Sequence, residues 1–122
     1  MQFDRFMPAV ALASLLCPAS ALAHPLPKSA SPAPNAVLRS SPTEIRIGFS
    51  EGFVPAFSGM EVDNAQGQAM PAGSASADPG DAKEMVLPLT GKLGPGTYAV
   101  KWHAVGDDTH QVSGHYSFQV AP

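Results

Sequence analysis

Prolines and glycines interrupt this chain so often that a long helix has no room to form. There are 13 prolines and 11 glycines among 122 residues, and both residue types destabilise helix interiors. Between them lie short segments of alternating apolar and polar residues, the pattern of a strand with one buried face. Hydrophobic residues make up 44% of the chain, enough for one apolar core. The sequence therefore predicts a single domain of short strands joined by turns.

The first 23 residues are predicted to be a signal peptide that precedes the domain. Their apolar run, residues 7–16, is about half as long as a membrane-spanning helix needs. The small-x-small sequence Ala21-Leu22-Ala23 follows it, as expected for a cleavage site. Cleavage after Ala23 would leave an exported domain, residues 24–122, without membrane insertion. The sole cysteine, Cys17, would be removed with the signal, so the domain must fold without a disulfide.

The mature domain is predicted to contain six or seven short strands. The clearest is Glu44–Ser50, in which Ile45, Ile47 and Phe49 share one face. The other expected strands are a short edge strand near 37–39 and the segments 58–64, 84–89, 97–104 and 113–120. Residues 71–82 are small, polar and rich in turn residues, which indicates a mobile loop. The fold class is therefore all-β, an antiparallel immunoglobulin-like β-sandwich or Greek-key barrel of about seven strands.

Strand alternation also assigns side chains to the two faces of the last two strands. The side chains expected to face inward are Tyr98, Val100, Trp102, Tyr116, Phe118 and Val120. His103 and His115 alternate with inward residues and are expected to face outward, where an adventitious metal site is the alternative to plain solvation. Met60 and Met85 lie in predicted strands and are expected to fill the core.

Cleavage after Ala23 would give His24 two nitrogen donors, its α-amine and its imidazole, close enough to chelate one metal ion. The amine must lose a proton to bind, so binding weakens at low pH. Pro25 has no amide N–H, so no deprotonated amide nitrogen can serve as a further donor. Other ligands must come from elsewhere in the fold.

The segment Asp107-Asp108-Thr109-His110 supplies the remaining donors. Asp108 and His110 are two residues apart, so in an extended segment both side chains point the same way. Together with His24 they would form a set of three nitrogens and one oxygen, which suits tetragonal Cu(II), the divalent ion with the highest affinity for such donors. Glu51, at the end of the Glu44–Ser50 strand, is a plausible further acidic group, either as a ligand or as a partner of the amine or of a bound water.

These residues occur in a pattern that resembles the copper resistance protein CopC family. The stretches that carry the resemblance are His24-Pro25, Phe49-Ser50-Glu51, Phe57-Ser58-Gly59, Leu93-Gly94-Pro95-Gly96-Thr97-Tyr98, Val100-Lys101-Trp102 and Asp108-Thr109-His110, with Gly114 beyond. They follow the family order with similar spacing and cover essentially the whole mature chain.

The resemblance implies a periplasmic copper-binding β-sandwich or barrel whose Cu(II) ligands are the His24 amine and imidazole, Asp108 and His110, with Glu51 nearby. It also implies a CopD-like inner-membrane copper permease as a partner. We expect the protein to be a monomer. Some family members carry a Cu(I) site in a methionine-rich loop. Here residues 64–82 contain only Met70 and no histidine, so we expect Cu(II) binding alone, used for storage, import or delivery.

Other functions are compatible with parts of this pattern. A metal-free β-sandwich interaction module would explain the fold but not the placement of His24 and Asp108-Thr109-His110. A small copper-dependent oxidase or monooxygenase would use a terminal histidine, but Asp108 would occupy a position that oxygen chemistry needs open. We therefore expect no enzyme activity. The formal net charge of −3 provides no basic surface for nucleic acid.

Overall fold

The structure is a computed structural model that describes residues 24–122. It contains eight strands and one turn of 3-10 helix, Pro55–Phe57. In chain order the strands are β1 (Pro27–Ser31), β2 (Val37–Leu38), β3 (Glu44–Phe49), β4 (Gly59–Asn64), β5 (Ser76–Asp78), β6 (Asp81–Pro88), β7 (Gly96–Val105) and β8 (Gln111–Val120). The predicted signal peptide, residues 1–23, lies outside the described residues.

The strands form two four-stranded sheets that face each other across one core. Sheet I has the order β1-β3-β6-β5, and sheet II has the order β2-β8-β7-β4. The chain crosses repeatedly between the sheets, and β7 and β8 form the longest hairpin, paired from Gly96↔Val120 to Val105↔Gln111. This arrangement confirms the predicted all-β sandwich. One pairing differs, because β2 runs parallel to β8.

The core consists of the inward faces that alternation predicts. Burial in β3 alternates strictly, with Ile45, Ile47 and Phe49 nearly inaccessible. Val100 and Phe118 are fully buried between the sheets, and Trp102 packs against Phe49 with ring centroids 5.3 Å apart. Met85 is fully buried and Met60 packs against the core, which confirms their predicted role. Each large apolar side chain that leaves water contributes roughly 1.5–3 kcal/mol to stability.

The prediction of one continuous loop over residues 71–82 was wrong in part. This segment contains β5 and the start of β6, and Ala72 bridges Leu89. The Asp78 carboxylate accepts a hydrogen bond from Gly80 N–H (2.8 Å), so the turn between β5 and β6 is only a few residues long. Alanine and serine are weak strand formers, and pairing with β6 determines their conformation here.

The N-terminal segment is also more regular than its prolines indicate. Pro27 is the first residue of the edge strand β1, a position that tolerates proline. β1 and β5 bring the strand number to eight, above the predicted six or seven. Within residues 24–122, no helix is long and apolar enough to cross a membrane.

Candidate metal centre

The loop that joins β7 to β8 has a defined turn conformation. Gly106 N–H donates to the carbonyl of His110 (3.2 Å), and Thr109 N–H donates to the carbonyl of Gly106 (3.0 Å). Thr109 has φ of 67°, a left-handed conformation that is uncommon for a β-branched residue. The loop therefore closes tightly over residues 106–110 and brings Asp108 and His110 to the end of sheet II.

The Asp108 carboxylate orients His110. One of its oxygens accepts the His110 backbone N–H (3.1 Å), and the other lies 3.2 Å from His110 Nδ1. The backbone hydrogen bond, aided by the His110 and His24 imidazoles, lowers the pKa of Asp108 below its usual range. Asp108 is therefore a carboxylate at neutral pH, as a metal ligand must be.

His24 reaches this loop because the residues around it are fixed to the sandwich. Pro25 is fully buried, and a Cβ at Gly106 would lie only 3.1 Å from its ring. Ser50, directly after β3, accepts the Leu26 N–H with its hydroxyl (3.0 Å) and donates its own N–H to the Leu26 carbonyl (2.8 Å). Its hydroxyl also donates to the His24 carbonyl (3.4 Å). Pro25 and Ser50 thus hold the start of the domain against the loop.

His24, Asp108 and His110 form what we call the terminal cluster. One ligand atom from each side chain lies within 4.8 Å of the others. His24 Nδ1 is 3.4 Å from the Asp108 carboxylate, and the two imidazole centroids are 5.4 Å apart. His24 Nδ1 is buried and makes no hydrogen bond, so the proximity to Asp108 does not satisfy it. A buried polar nitrogen without a partner lowers the stability of the folded protein. A metal ion bound to this nitrogen would remove that penalty.

The terminal cluster contains three of the four residues predicted for the site. Glu51 is exposed and is not part of the cluster, although it follows Ser50, which holds the start of the domain. Its role as a ligand or supporting group stays a prediction. Ser50 and Gly106 were not singled out from the sequence as determinants of the site. The only sequence signals for them were their positions: Ser50 directly follows an alternating strand, and Gly106 begins the loop between β7 and β8.

The other two histidines face away from the core, as predicted. His115 is exposed, and His103 is half-buried with its ring against Gly59 on β4. Both line a surface cavity on the outer face of sheet II, apart from the terminal cluster. Met70, the only methionine of residues 64–82, packs against the core.

Comparison with known proteins identifies the family. The CopC domain matches residues 27–121. The chain is 36% identical over 116 residues to Protein YobA of Escherichia coli K12, covering 95% of this chain and 93% of YobA. It is 35% identical over 113 residues to Copper resistance protein C of Pseudomonas syringae pv. tomato, covering 88% of this chain and 89% of that protein.

A solved structure agrees with this assignment. PcoC, a methionine-rich copper resistance protein from Escherichia coli, superposes with a TM-score of 0.74 at 33% identity, covering 80% of this chain and 99% of PcoC. The family match, the relatives and the shared β-sandwich lead to one assignment: the chain belongs to the CopC family of copper resistance proteins.

Proposed function

We propose that this protein is exported to the periplasm and binds one Cu(II) ion through the His24 α-amine, the His24 imidazole, Asp108 and His110. The observation that supports the proposal most strongly is the convergence of the three side chains within 4.8 Å. They come from opposite ends of the domain, and the fold holds them together by specific contacts of Pro25 and Ser50. An ordinary solvent-exposed turn would not require contacts that hold His24 beside Asp108 and His110.

The donor set favours Cu(II) over other divalent ions. Three nitrogens and one carboxylate oxygen suit a tetragonal ion, and Cu(II) heads the affinity series of the divalent metals. A Cu(I) site requires soft sulfur ligands. PcoC is described as methionine-rich, whereas Met70 is the only methionine of residues 64–82 here and is packed on the core. We therefore propose binding of Cu(II) alone.

Export is part of the proposed mechanism, because signal cleavage after Ala23 creates the α-amine. Before cleavage the nitrogen of His24 belongs to a peptide bond and is a poor ligand. After cleavage the amine and the imidazole chelate the ion from one residue. Glu51, one residue beyond Ser50, is proposed to support the amine or a bound water rather than to be the main carboxylate ligand.

The proposed physiological role is to sequester copper or to pass it to a CopD-like inner-membrane permease. Asp108 would occupy one of the equatorial positions around Cu(II), a position that oxygen chemistry needs open, so we propose a binding protein and not an enzyme. Sustained hydrogen peroxide production by the reduced copper protein would contradict this part of the proposal.

The experiment is a competitive Cu(II) titration of two forms of the protein. One begins at His24, verified by mass spectrometry, and the other carries one extra residue before His24. We expect one tight equivalent in the first form and an affinity lower by about 100-fold or more in the second, because a primary ligand is lost. Equal affinities would overturn the amine site. A dissociation constant weaker than about 1 μM in the first form, or no binding at all, would overturn the copper-binding proposal.

A further inference from the structure

The outer face of sheet II contains a second group of metal-binding side chains. A surface cavity of about 740 Å³ lies over β4, β7 and β8, and its lining includes Glu61, His103 and His115. We call these three residues the strand-face set. It contains two imidazoles and one carboxylate, as the terminal cluster does, and shares no residue with it.

The strand register places the strand-face set around one area of the sheet. Gly59, His103 and Ser113 form one row across the three strands, and Glu61, Lys101 and His115 form the next. His103 is thus diagonal to both Glu61 and His115, a separation of about 7–8 Å that long side chains can span. Glu61 and His115 are two strand spacings apart, roughly 10 Å. The side chains of Glu61 and His115 can lean towards each other above Lys101, and His103 lies in the adjacent row.

Lys101 lies between Glu61 and His115 and also lines the cavity. Lys101 Nζ bonds to the carboxylate of Asp63 at 2.9 Å, and Asp63 is paired one row further along, with Ala99. Asp63 is buried and Lys101 is largely exposed, so salt screens this ion pair less than a fully exposed one. Asp63 offsets part of the lysine charge, and Glu61 also interacts electrostatically with Lys101. Glu61 is the carboxylate beside the two imidazoles.

Gly59 provides the space that His103 occupies. A Cβ at residue 59 would lie 3.0 Å from His103 Cε1 and 3.6 Å from Nε2. The imidazole therefore lies against the backbone of β4, on the Glu61 side of β7. A Cβ at position 59 would force the ring to move by a few tenths of an ångström. His115 lines the same cavity from β8, on the other side of β7, so the His103 ring must rotate towards it for both imidazoles to bind one ion.

We propose that the strand-face set is a second, weaker site for a divalent transition-metal ion, Cu(II) or Zn(II). Two imidazoles and a carboxylate are a ligand set that both ions accept. Within residues 24–122, only the terminal cluster has three such donors within 4.8 Å, so the strand-face set must close by side-chain rotation. That ordering lowers its affinity relative to the terminal cluster. The site does not use the α-amine and is independent of signal cleavage.

The test is a calorimetric Cu(II) titration of the protein that begins at His24, with the ligands located by NMR during a parallel Zn(II) titration. We expect a second, weaker equivalent and Zn(II)-dependent shifts of the His103 and His115 imidazole resonances. His115→Gln should abolish the second equivalent. Glu61→Gln should weaken it by about tenfold or more, the cost seen even for groups that only support a ligand. Gln119→Ala is the matched control, because Gln119 is exposed on the same strand and lies outside the cavity.

Each outcome bears on the proposal directly. A single equivalent in the unmutated protein would overturn it, as would a second equivalent that persists in His115→Gln and Glu61→Gln. Far-UV circular dichroism confirms that each variant is folded. In the form with one residue before His24, the strand-face site should keep its affinity while the affinity of the terminal cluster falls, and His115→Gln identifies which of the two remains. Failure of one proposal can therefore be distinguished from failure of the other.

Discussion

The terminal cluster and the strand-face set contain the same types of ligand but are held in different ways. In the terminal cluster, a turn and a buried proline bring two imidazoles and a carboxylate within 4.8 Å. In the strand-face set, regular strands fix the spacing between Glu61, His103 and His115, and the side chains do not converge. The strand-face set lies on β4, β7 and β8 of sheet II. In the terminal cluster, Asp108 and His110 lie in the loop between β7 and β8, and His24 precedes β1.

From this difference we expect that backbone geometry, more than ligand identity, sets the relative affinities of the two proposed sites. A strand pair places outward side chains on a fixed lattice, and a metal can be reached only by rotating them. A loop with an irregular backbone can bring adjacent residues around a point. The order and spacing of residues Gly106–His110 should therefore matter as much as the ligands themselves.

The largest effect should come from removing one imidazole from each group. His110→Ala should lower the affinity of the tight Cu(II) site by about 100-fold or more, because a primary ligand is lost. His115→Ala should leave that affinity unchanged. Competition titrations with a chelator of known affinity measure both. Comparable losses in the two variants would mean that the tight site does not lie at the terminal cluster.

A smaller loss is expected when the loop is disturbed and every ligand is kept. A Cβ at Gly106 would lie 3.1 Å from Pro25 Cδ and 3.2 Å from the Asp108 carboxylate. Gly106→Ala should displace both groups by a few tenths of an ångström and weaken Cu(II) binding by about tenfold, equivalent to about 1.4 kcal/mol. Gly52→Ala is the control, since a Cβ there meets nothing within 4 Å. Equal affinities for the two variants would show that the loop position is not critical.

A substitution at Thr109 tests whether the left-handed conformation of this residue lowers the free energy of unfolding. Its φ of 67° disfavours a β-branched residue by about 1 kcal/mol, and asparagine adopts this conformation more readily. Thr109→Asn should raise the free energy of unfolding by about 0.5–1 kcal/mol and leave Cu(II) affinity almost unchanged. Urea denaturation of the metal-free protein measures the first quantity. A loss of stability would contradict the assigned backbone strain.

The smallest effect concerns acid stability, which must be separated from acid release of copper. Hydrogen bonds from Arg46 and then from the Gly80 N–H lower the pKa of Asp78 below its usual 3.8. The resulting stabilisation is present above the unfolded-state pKa and is lost as pH falls through the lower folded-state value.

Asp78→Asn should therefore make stability fall less steeply below about pH 4, as measured by denaturation at pH 3 and pH 7. Copper release should instead depend on competition between protons and Cu(II) for the ligands, and should occur at the same pH in this variant. An Asp78→Asn variant that released copper at a different pH would show that release follows unfolding.

The sandwich could be predicted because alternation leaves little choice in strands such as β3, where every second residue is apolar. The β5 segment could not, because Ser76, Ala77 and Asp78 have weak strand preferences and are extended only through pairing with β6. For the site, the two-residue spacing predicted that Asp108 and His110 converge, but the assumed extended segment was wrong: a tight turn with Thr109 in a left-handed conformation brings them together. The contacts of Pro25 with Gly106, and of Ser50 with Leu26, are tertiary, and no local pattern indicates them.

The central claim is that the tight site comprises the His24 amine, the His24 imidazole, Asp108 and His110. Electron paramagnetic resonance of the protein that begins at His24, loaded with one equivalent of Cu(II), tests it most directly, because nitrogen hyperfine splitting counts the nitrogen ligands. The account predicts three nitrogens, reduced to two in His110→Ala. A different count, or a spectrum that His110→Ala leaves unchanged, would contradict it.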